Sequence, residues 1–191
     1  MPNSAETADV VVVGAGAVGA AIAYELSRRG ASVIVLEKDA IGSGSSAHAT
    51  GLLSILGTEF TPGDSFAMGR EAYSDFIELV PQLEALTGMD VLYQRPPALR
   101  LALDENEVQM IQASLEWQGK LVSAEWISGE EARRIEPRLT EALLGAAYEP
   151  ESAQLDSYRF NLALARGTEL NGGEILTRTV TGLVREGSRV T

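Results

Sequence analysis

Three glycines between a β-branched run and a helical segment constrain the fold of this chain more than any other feature. Residues 9–13 predict a short strand buried on both faces of a parallel sheet. Small and helix-forming residues over 17–29 predict a helix, and residues 32–37 predict a second strand. Strand, helix and strand in this order form a βαβ unit, which joins parallel strands by a right-handed crossover. The glycines of the first turn are Gly14, Gly16 and Gly19.

The G-x-G-x-x-G spacing of these glycines is typical of a dinucleotide-binding turn. The first glycine permits a tight turn, the second lets a pyrophosphate approach the backbone, and the third lets the helix pack on the strand. Glu37 ends the second predicted strand, where a carboxylate accepts hydrogen bonds from ribose hydroxyls and disfavours a 2′-phosphate. NADP is therefore not expected. The alternative is a glycine-rich turn with a surface glutamate there by chance.

NAD and FAD share this motif, and the segment after Glu37 distinguishes between them. A nicotinamide-binding domain would continue with another crossover helix. Residues 42–51 are instead a run of small and hydroxyl-bearing side chains, along which an elongated ligand can extend. This run favours a flavin, and a mobile surface loop is the alternative interpretation.

The remaining patterns predict several helices and strands. Apolar residues near helical spacing predict a helix over 64–86, with Asp64 as a candidate N-cap and Pro81 expected to kink it or end it early. Asp104 and Ser128 each begin a cap-x-x-Glu pattern that marks a helix start. The other predicted elements are a strand over 99–103, a helix from Asp156 to about Leu170 closed by residues 171–173, strands over 174–177 and 179–185, a turn over 186–188 and a strand from residue 189.

Composition excludes several classes of protein. Fifteen Lys and Arg against 27 Asp and Glu give a net charge of −12, so nucleic acid and anionic lipid surfaces are not expected partners. The absence of cysteine and the single histidine, His48, exclude disulfides, thiolate metal sites and a His-rich metal centre. The longest uncharged stretch, residues 10–24, is shorter than the ~18 residues that a membrane span needs, and acidic residues precede it. We expect a cytoplasmic protein without an integral membrane span.

With these motifs in view, the chain resembles the FAD-dependent oxidoreductases typified by D-amino acid oxidase, glycine oxidase and sarcosine oxidase. The matching segments are residues 10–37, 42–53, 126–137 and 154–160, the last leading through a helix into 174–180. The resemblance implies an α/β fold, with a Rossmann-like FAD-binding domain and part of an inserted α+β substrate domain. It divides the chain into a first FAD-binding segment (1–85), a partial substrate domain (86–149) and a second FAD-binding segment (150–191), and it makes the chain an N-terminal fragment of a longer protein.

The resemblance also implies how FAD is held. Ala17 and Val18, together with the three glycines, are expected to contact the pyrophosphate. Glu37 and Lys38 are expected at the adenosine ribose, and the main chain of Val180 at the adenine.

The small-residue run is implied to contact the rest of the cofactor. Ser45 and Ser46 are expected at the phosphates or the ribityl chain. The isoalloxazine is expected to lie against Thr50, Gly51 and Leu52. His48 is expected near a non-covalent flavin, with a covalent linkage as in dimethylglycine dehydrogenase-like relatives as the alternative. Ser157 stands where relatives often carry a proline at the first helical position.

The implied reaction is oxidation of the C–N bond of an amino acid or secondary amine by hydride transfer to the flavin. Alternatives are a flavin-dependent 2-hydroxy-acid or polyol dehydrogenase, an NAD enzyme, or a non-catalytic FAD-binding subunit or fragment. The expected partners are a small-molecule substrate and a second chain or missing C-terminal region that completes the fold. Catalytic residues are not identifiable, and Tyr93, Arg95 and Arg100 are interpreted as surface or packing residues.

Overall fold

The computed structural model describes residues 7–56, 62–119, 121–187 and 189–190, and these form the predicted α/β fold. In chain order the elements are β1 (Val10–Val13), α1 (Ala17–Arg28), β2 (Val33–Glu37), a 3₁₀ helix (Ser45–His48), β3 (Leu52–Leu53), α2 (Asp64–Thr87), β4 (Ala98–Ala102), α3 (Glu105–Gln118), β5 (Glu125–Ser128), α4 (Gly129–Ile135), β6 (Gly145–Glu149), β7 (Ala153–Gln154), α5 (Ser157–Leu170), β8 (Glu174–Thr177), β9 (Arg185–Glu186) and β10 (Arg189–Val190).

The chain divides into two units. The first contains residues 1–50, 80–92 and 156–191, and the second contains residues 51–79 and 93–155. The resemblance implies divisions after residues 85 and 149, and the two units divide after residues 50, 79, 92 and 155. The assignment of the two units to cofactor and substrate stays a prediction.

A parallel sheet in the order β1-β2-β8 forms the first unit together with α1 and α5, and it confirms the predicted βαβ unit. Val12 and Val35 pair across the sheet and pack with Ala23 of α1. The expectation that β1 is buried on both faces is wrong among the described residues. Val12 is 9% exposed, whereas Val11 and Val13 are 52% and 59% exposed, because only the Val12 face of β1 packs on α1.

An antiparallel sheet in the order β4-β6-β5 forms the second unit with α3 and α4, which is an α+β arrangement. Ala102, Ile111 and Ala147 are buried between this sheet and α3. The rings of Phe66 in α2 and Trp117 in α3 meet edge to face, with centroids 4.9 Å apart. The strands β3 and β7 form a separate antiparallel pair.

The predicted N-caps of three helices are confirmed. The Asp104 carboxylate accepts a hydrogen bond from the N–H of Glu107 at 2.9 Å. The Asp156 carboxylate accepts one from the N–H of Arg159 at 2.8 Å. Ser128 and Glu131 form a full capping box at the start of α4. These contacts satisfy backbone donors that have no partner inside a helix, so the local signal decides where each helix begins.

Two of the predicted elements differ from the structure. The helix α2 spans nearly the predicted residues and continues past Pro81 to Thr87, so the early end expected there as the alternative to a kink is absent. Val80 and Leu83 on either side of the proline are buried. Asp64 is the first residue of that helix rather than its N-cap. The predicted strand over 179–185 is wrong, because β8 ends at Thr177 and residues 178–184 have no regular structure.

The predicted turn over 186–188 ends at Ser188, which lies outside the described residues together with Thr191. The strand predicted from residue 189 is present, since Arg189 and Val190 pair antiparallel with β9. None of the helices in the described parts of the chain combines the length and apolarity that a bilayer crossing requires.

Candidate dinucleotide-binding site

The turn from β1 into α1 has the close geometry that its glycines allow. Gly14 has φ +97°, and its N–H donates to the Leu36 carbonyl oxygen at 2.8 Å, which ties the turn to β2. A Cβ on Gly19 would overlap the Gly14 carbonyl oxygen and lie 3.4 Å from the Val12 side chain. Glycine at these two positions therefore allows the tight turn and the close approach of α1 to β1.

The N-terminus of α1 begins at this turn and meets the small-residue run. Gly16 is the N-cap and has no side chain with which to cap the helix. The Ala17 N–H donates to Ser46 Oγ at 2.9 Å, and a Cβ on Gly16 would lie 3.3 Å from the same oxygen. No acidic residue occupies the first turn, and Val18 is 76% exposed. Ser46 thus occupies the Ala17 N–H, and the first turn carries no negative side chain, which favours anion binding at this helix N-terminus.

Glu37 holds the turn from the end of β2. Its Oε2 accepts a hydrogen bond from the Ala15 N–H at 2.7 Å, and its Oε1 accepts one from the Asp39 N–H at 2.9 Å. These backbone donors, the Ala15 N–H above all, lower the pKa of the Glu37 carboxyl below its ordinary value. Each ionised oxygen has two lone pairs, so one acceptor position on each oxygen stays available to a ligand hydroxyl.

A cavity of about 230 Å³ opens beside Glu37 at the carboxyl ends of β1, β2 and β8. Gly14, Glu37 and Lys38 line it together with Val180, which comes from the distant end of the chain. One of the residues predicted at the pyrophosphate, Gly14, thus lines the same cavity as the residues predicted at the ribose and the adenine, whereas Gly16, Ala17, Val18 and Gly19 do not line it. Arg178 also lines the cavity, and its N–H donates to the Glu37 carbonyl oxygen at 2.8 Å. Sequence reasoning missed Arg178, whose only signal is its position two residues before Val180.

The small-residue run is tied to other parts of the first unit at both ends. The Gly42 N–H donates to the Ala15 carbonyl oxygen at 2.9 Å. Ser157 Oγ donates to the Ala49 carbonyl oxygen at 2.9 Å, an interaction that proline at this position could not make. Between these ties lie the exposed Ser45 and His48, which begin and end the 3₁₀ helix.

The residues predicted to line the isoalloxazine fall in both units. Thr50 is exposed and is the last residue of the first unit before the chain enters the second. Gly51 and Leu52 belong to the second unit, where the Leu155 N–H donates to the Gly51 carbonyl oxygen at 3.0 Å. Gly51 has φ +74°, and a Cβ there would overlap the Leu155 carbonyl oxygen. The geometry of Gly51 is accordingly explained by backbone packing within its own unit.

The first unit fits the adenosine diphosphate part of FAD on three counts. The acceptor positions left on Glu37 suit the two ribose hydroxyls. The helix N-terminus carries no acidic residue in its first turn, which suits a pyrophosphate. A Cβ built on Gly14 would meet no atom within 4 Å, so the backbone there is open to a ligand.

The second unit contains a separate cavity of about 260 Å³. Arg70, Tyr73, Arg95 and the buried Glu149 line it, and Glu149 accepts a hydrogen bond from Ser54 Oγ at 2.5 Å. Burial raises the pKa of the Tyr73 hydroxyl, which donates to the Glu151 carbonyl oxygen.

The second unit also contains the three side chains that we interpret from the sequence as surface or packing residues. Arg95 lines this cavity, and Arg100 donates to the Leu56 carbonyl oxygen at 3.3 Å. The Tyr93 hydroxyl is buried and has no hydrogen-bond partner among the described residues.

Comparison with known proteins places these features in a wider group. A family model described as FAD dependent oxidoreductase matches residues 9–191. The solved structure of glycine oxidase from Bacillus cereus aligns with a TM-score of 0.88 at 30% identity, covering 97% of this chain and 50% of that chain. Human mitochondrial dimethylglycine dehydrogenase is 32% identical over 179 residues, which cover 90% of this chain and 20% of that protein. One component of the anaerobic glycerol-3-phosphate dehydrogenase of Escherichia coli is 32% identical over 193 residues, which cover 98% of this chain and 33% of that protein. The chain spans at most about half the length of each of these proteins.

Proposed function

Since the chain belongs to the family of FAD-dependent oxidoreductases, we propose that its first unit holds the adenosine diphosphate part of FAD in the cavity beside Glu37. The observation that carries this proposal is the meeting of Gly14, Glu37, Lys38 and Val180 around one cavity, although they come from three separate strand ends.

Each part of the site has a distinct task in this proposal. Glu37 accepts hydrogen bonds from the ribose hydroxyls, and its negative charge rejects a 2′-phosphate. The backbone at Gly14 and Gly16 and the N-terminus of α1 hold the pyrophosphate, with Ala17, Val18 and Ser46 beside it. Lys38 lies beside the ribose, and the main chain of Val180 meets the adenine. Bound FAD would supply the hydride acceptor that the reaction needs.

A competition experiment tests the cofactor proposal. FAD is titrated into the chain, and quenching of flavin fluorescence reports binding. We expect ADP and AMP to compete with FAD and 2′,5′-ADP to compete far less than AMP, because these two nucleotides differ only in the 2′-phosphate, which would face the Glu37 carboxylate. Failure of FAD to bind, or competition by 2′,5′-ADP as strong as that by AMP, contradicts the proposal.

We propose that the substrate is an amino acid or a secondary amine, oxidised at its C–N bond. Similarity to glycine oxidase and to dimethylglycine dehydrogenase supports this class. The similarity to a component of a glycerol-3-phosphate dehydrogenase favours a hydroxyl-bearing substrate as the second candidate. In both cases the protein must hold the reacting C–H against the flavin and exclude water.

A substrate panel distinguishes these classes. The flavin-loaded protein is mixed without oxygen with glycine, dimethylglycine or glycerol 3-phosphate, and loss of the visible flavin band is followed. We expect an amine to bleach the flavin. Bleaching by glycerol 3-phosphate alone supports the second candidate. No bleaching by any of them, with FAD bound, contradicts all three as substrates of this chain and is the result expected if its substrate side needs a further region or a second chain.

We further propose that the remaining predicted contacts, Ser45, Thr50, Gly51 and Leu52, lie along the flavin end of the cofactor and that His48 binds beside it without a covalent link. The exposure of His48 at the end of the 3₁₀ helix leaves its imidazole accessible to a ligand. Acid precipitation of the flavin-loaded protein tests the linkage. We expect a colourless pellet and a yellow supernatant, whereas a yellow pellet contradicts the non-covalent assignment.

A further inference from the structure

Three segments from different parts of the first unit meet at the carbonyl oxygen of Ala15. The Gly42 N–H donates to this oxygen at 2.9 Å, and Asn161 Nδ2 of α5 donates to it at 2.8 Å. On the other side of the same residue, the Ala15 N–H donates to Glu37. Ala15 is buried, so these protein groups, rather than water, determine the direction of both of its peptide groups.

Asn161 is an unusual residue at this place. It lies inside α5 and is 0% exposed, yet its Oδ1 has no hydrogen-bond partner among the described residues. A buried acceptor without a partner destabilises a protein, and asparagine is a poor residue inside a helix. An apolar side chain would avoid both costs but could not donate to Ala15. Asparagine at this position therefore provides the hydrogen bond from Nδ2 to the Ala15 carbonyl oxygen, which an apolar side chain could not make.

The loop at Gly42 lies close against the Asn161 side chain. A Cβ on Gly42 would lie 2.7 Å from Asn161 Nδ2 and 3.5 Å from its Cβ, so the loop backbone contacts the amide directly. Gly42 also has φ +69°, which glycine adopts without strain. A larger residue at position 42 would therefore displace the Asn161 amide from the Ala15 oxygen.

The consequence for the ligand site follows from peptide geometry. All described peptide bonds are trans, so the C=O of Ala15 and the N–H of Gly16 in the same peptide group point in opposite directions. Fixing the carbonyl towards Asn161 fixes the Gly16 N–H away from α5. The Gly16 N–H makes no hydrogen bond within the described residues, so it is a free donor at the second glycine of the motif.

We propose that Asn161 is a positioning residue for the dinucleotide: by holding the Ala15 carbonyl it aims the Gly16 N–H at the pyrophosphate. This inference rests on the proposed FAD site. In it a residue of α5, outside the G-x-G-x-x-G motif, contributes to the affinity for the cofactor. Asn161 acts through Ala15 and needs no contact with the cofactor.

The test compares three variants of the chain by FAD titration at several pH values. Asn161→Leu removes the donor and is expected to weaken FAD binding about five- to tenfold at every pH, the effect of one hydrogen bond. Asn161→Asp can donate only when its carboxyl is protonated, and burial raises the pKa of such a group. Its affinity is expected near that of the unchanged chain at about pH 5 and to fall towards about pH 8. Glu37 stays ionised over this range because its pKa is lowered.

Thr168→Val is the matched control. Thr168 is also 0% exposed in α5, and its Oγ1 donates to the Leu164 carbonyl oxygen at 2.9 Å, away from the turn. This variant is expected to lower stability without changing FAD affinity. A purely structural role for Asn161 would make FAD affinity follow stability in Asn161→Leu and in Thr168→Val alike. That result, or an affinity of Asn161→Asp that does not change with pH, overturns the proposal.

Amide hydrogen exchange without FAD gives a second measurement. In Asn161→Leu the Gly42 amide, which shares the Ala15 oxygen, is expected to exchange faster, whereas Thr168→Val leaves its exchange unchanged. Unchanged exchange in Asn161→Leu overturns the positioning role. If the unchanged chain binds no FAD, the proposed cofactor site fails, and the exchange measurement still decides whether Asn161 orders the turn.

Discussion

Replacing Glu37 by Gln tests how one carboxylate can hold both the turn and the cofactor. Each Glu37 oxygen accepts one backbone N–H, from Ala15 at 2.7 Å and from Asp39 at 2.9 Å. Glutamine keeps the size of the side chain but presents an NH₂ group to one of these donors and removes the charge. One backbone donor then loses its acceptor, and the other hydrogen bond becomes neutral.

The expected loss of stability follows from these contacts. A hydrogen bond to a charged group contributes about 1.5–3 kcal/mol. Glu37 is only half-buried, so water replaces part of the lost contact, and we expect Glu37→Gln to lower the free energy of unfolding by about 1.5 kcal/mol. In urea this corresponds to a shift of the unfolding midpoint by roughly 0.5–1.5 M. The loss of an ionised ribose acceptor is expected to raise the Kd for FAD at least about tenfold.

The pH dependence provides an independent check. The pKa of Glu37 is lower in the folded chain than its ordinary value of 4.5, so the unfolded state binds more protons in this range. The stabilisation is therefore complete above the ordinary pKa and is lost as the pH falls through the folded value. The difference between Glu37→Gln and the unchanged chain should be constant near neutral pH and should shrink in acid.

Urea unfolding followed by circular dichroism, with flavin fluorescence for affinity, measures both effects. Glu174→Gln is the control, since Glu174 is a half-buried glutamate of the same sheet whose side chain makes no hydrogen bond among the described residues. Equal midpoints and equal FAD affinities for Glu37→Gln and the unchanged chain would refute the assignment of Glu37.

Three further substitutions test other features. In Gly19→Ala the added Cβ overlaps the Gly14 carbonyl oxygen. We therefore expect the free energy of unfolding in urea to fall by about 1–3 kcal/mol and FAD binding to be lost. Unchanged FAD affinity would contradict this reasoning. Ser128→Ala removes the capping box with Glu131 and should lower the midpoint of thermal unfolding by about 2–4 °C while FAD affinity stays unchanged. An unaltered midpoint would show that the cap does not contribute to stability. Pro81→Ala restores a backbone donor inside α2 and should raise the thermal midpoint, whereas a lower midpoint would show that the helix depends on the proline.

Much of the fold could be predicted because its signals are local. The β-branched run, the glycines of the first turn and the residues before each helix act on neighbouring backbone groups. Asp104, Ser128 and Asp156 accept hydrogen bonds from N–H groups three residues later, so their effect needs no distant part of the chain. The strand, helix and strand of the first unit follow from such signals.

Wrong predictions arose where distant packing overrides a local preference. Of the two effects expected of Pro81, a kink or an early end of α2, the early end is absent, because Val80 and Leu83 are buried on either side of the proline. The apolar composition of β1 predicts burial on both faces, yet Val11 is half exposed among the described residues. Alternate side chains of a strand point to opposite faces, so each face is buried only where another element packs against it.

The sequence by itself determined the βαβ unit, the positions of the helix starts and the acid at the end of β2. Only the tertiary structure decided which remote residues join them. Asn161 reaches Ala15 across 146 positions of the chain, and Arg178, which no sequence motif indicates, lines the cavity beside Glu37. These contacts exist because α5 packs against α1 and β8 pairs with β2. Local patterns report the conformation of a segment, whereas contacts between segments depend on how their buried faces meet.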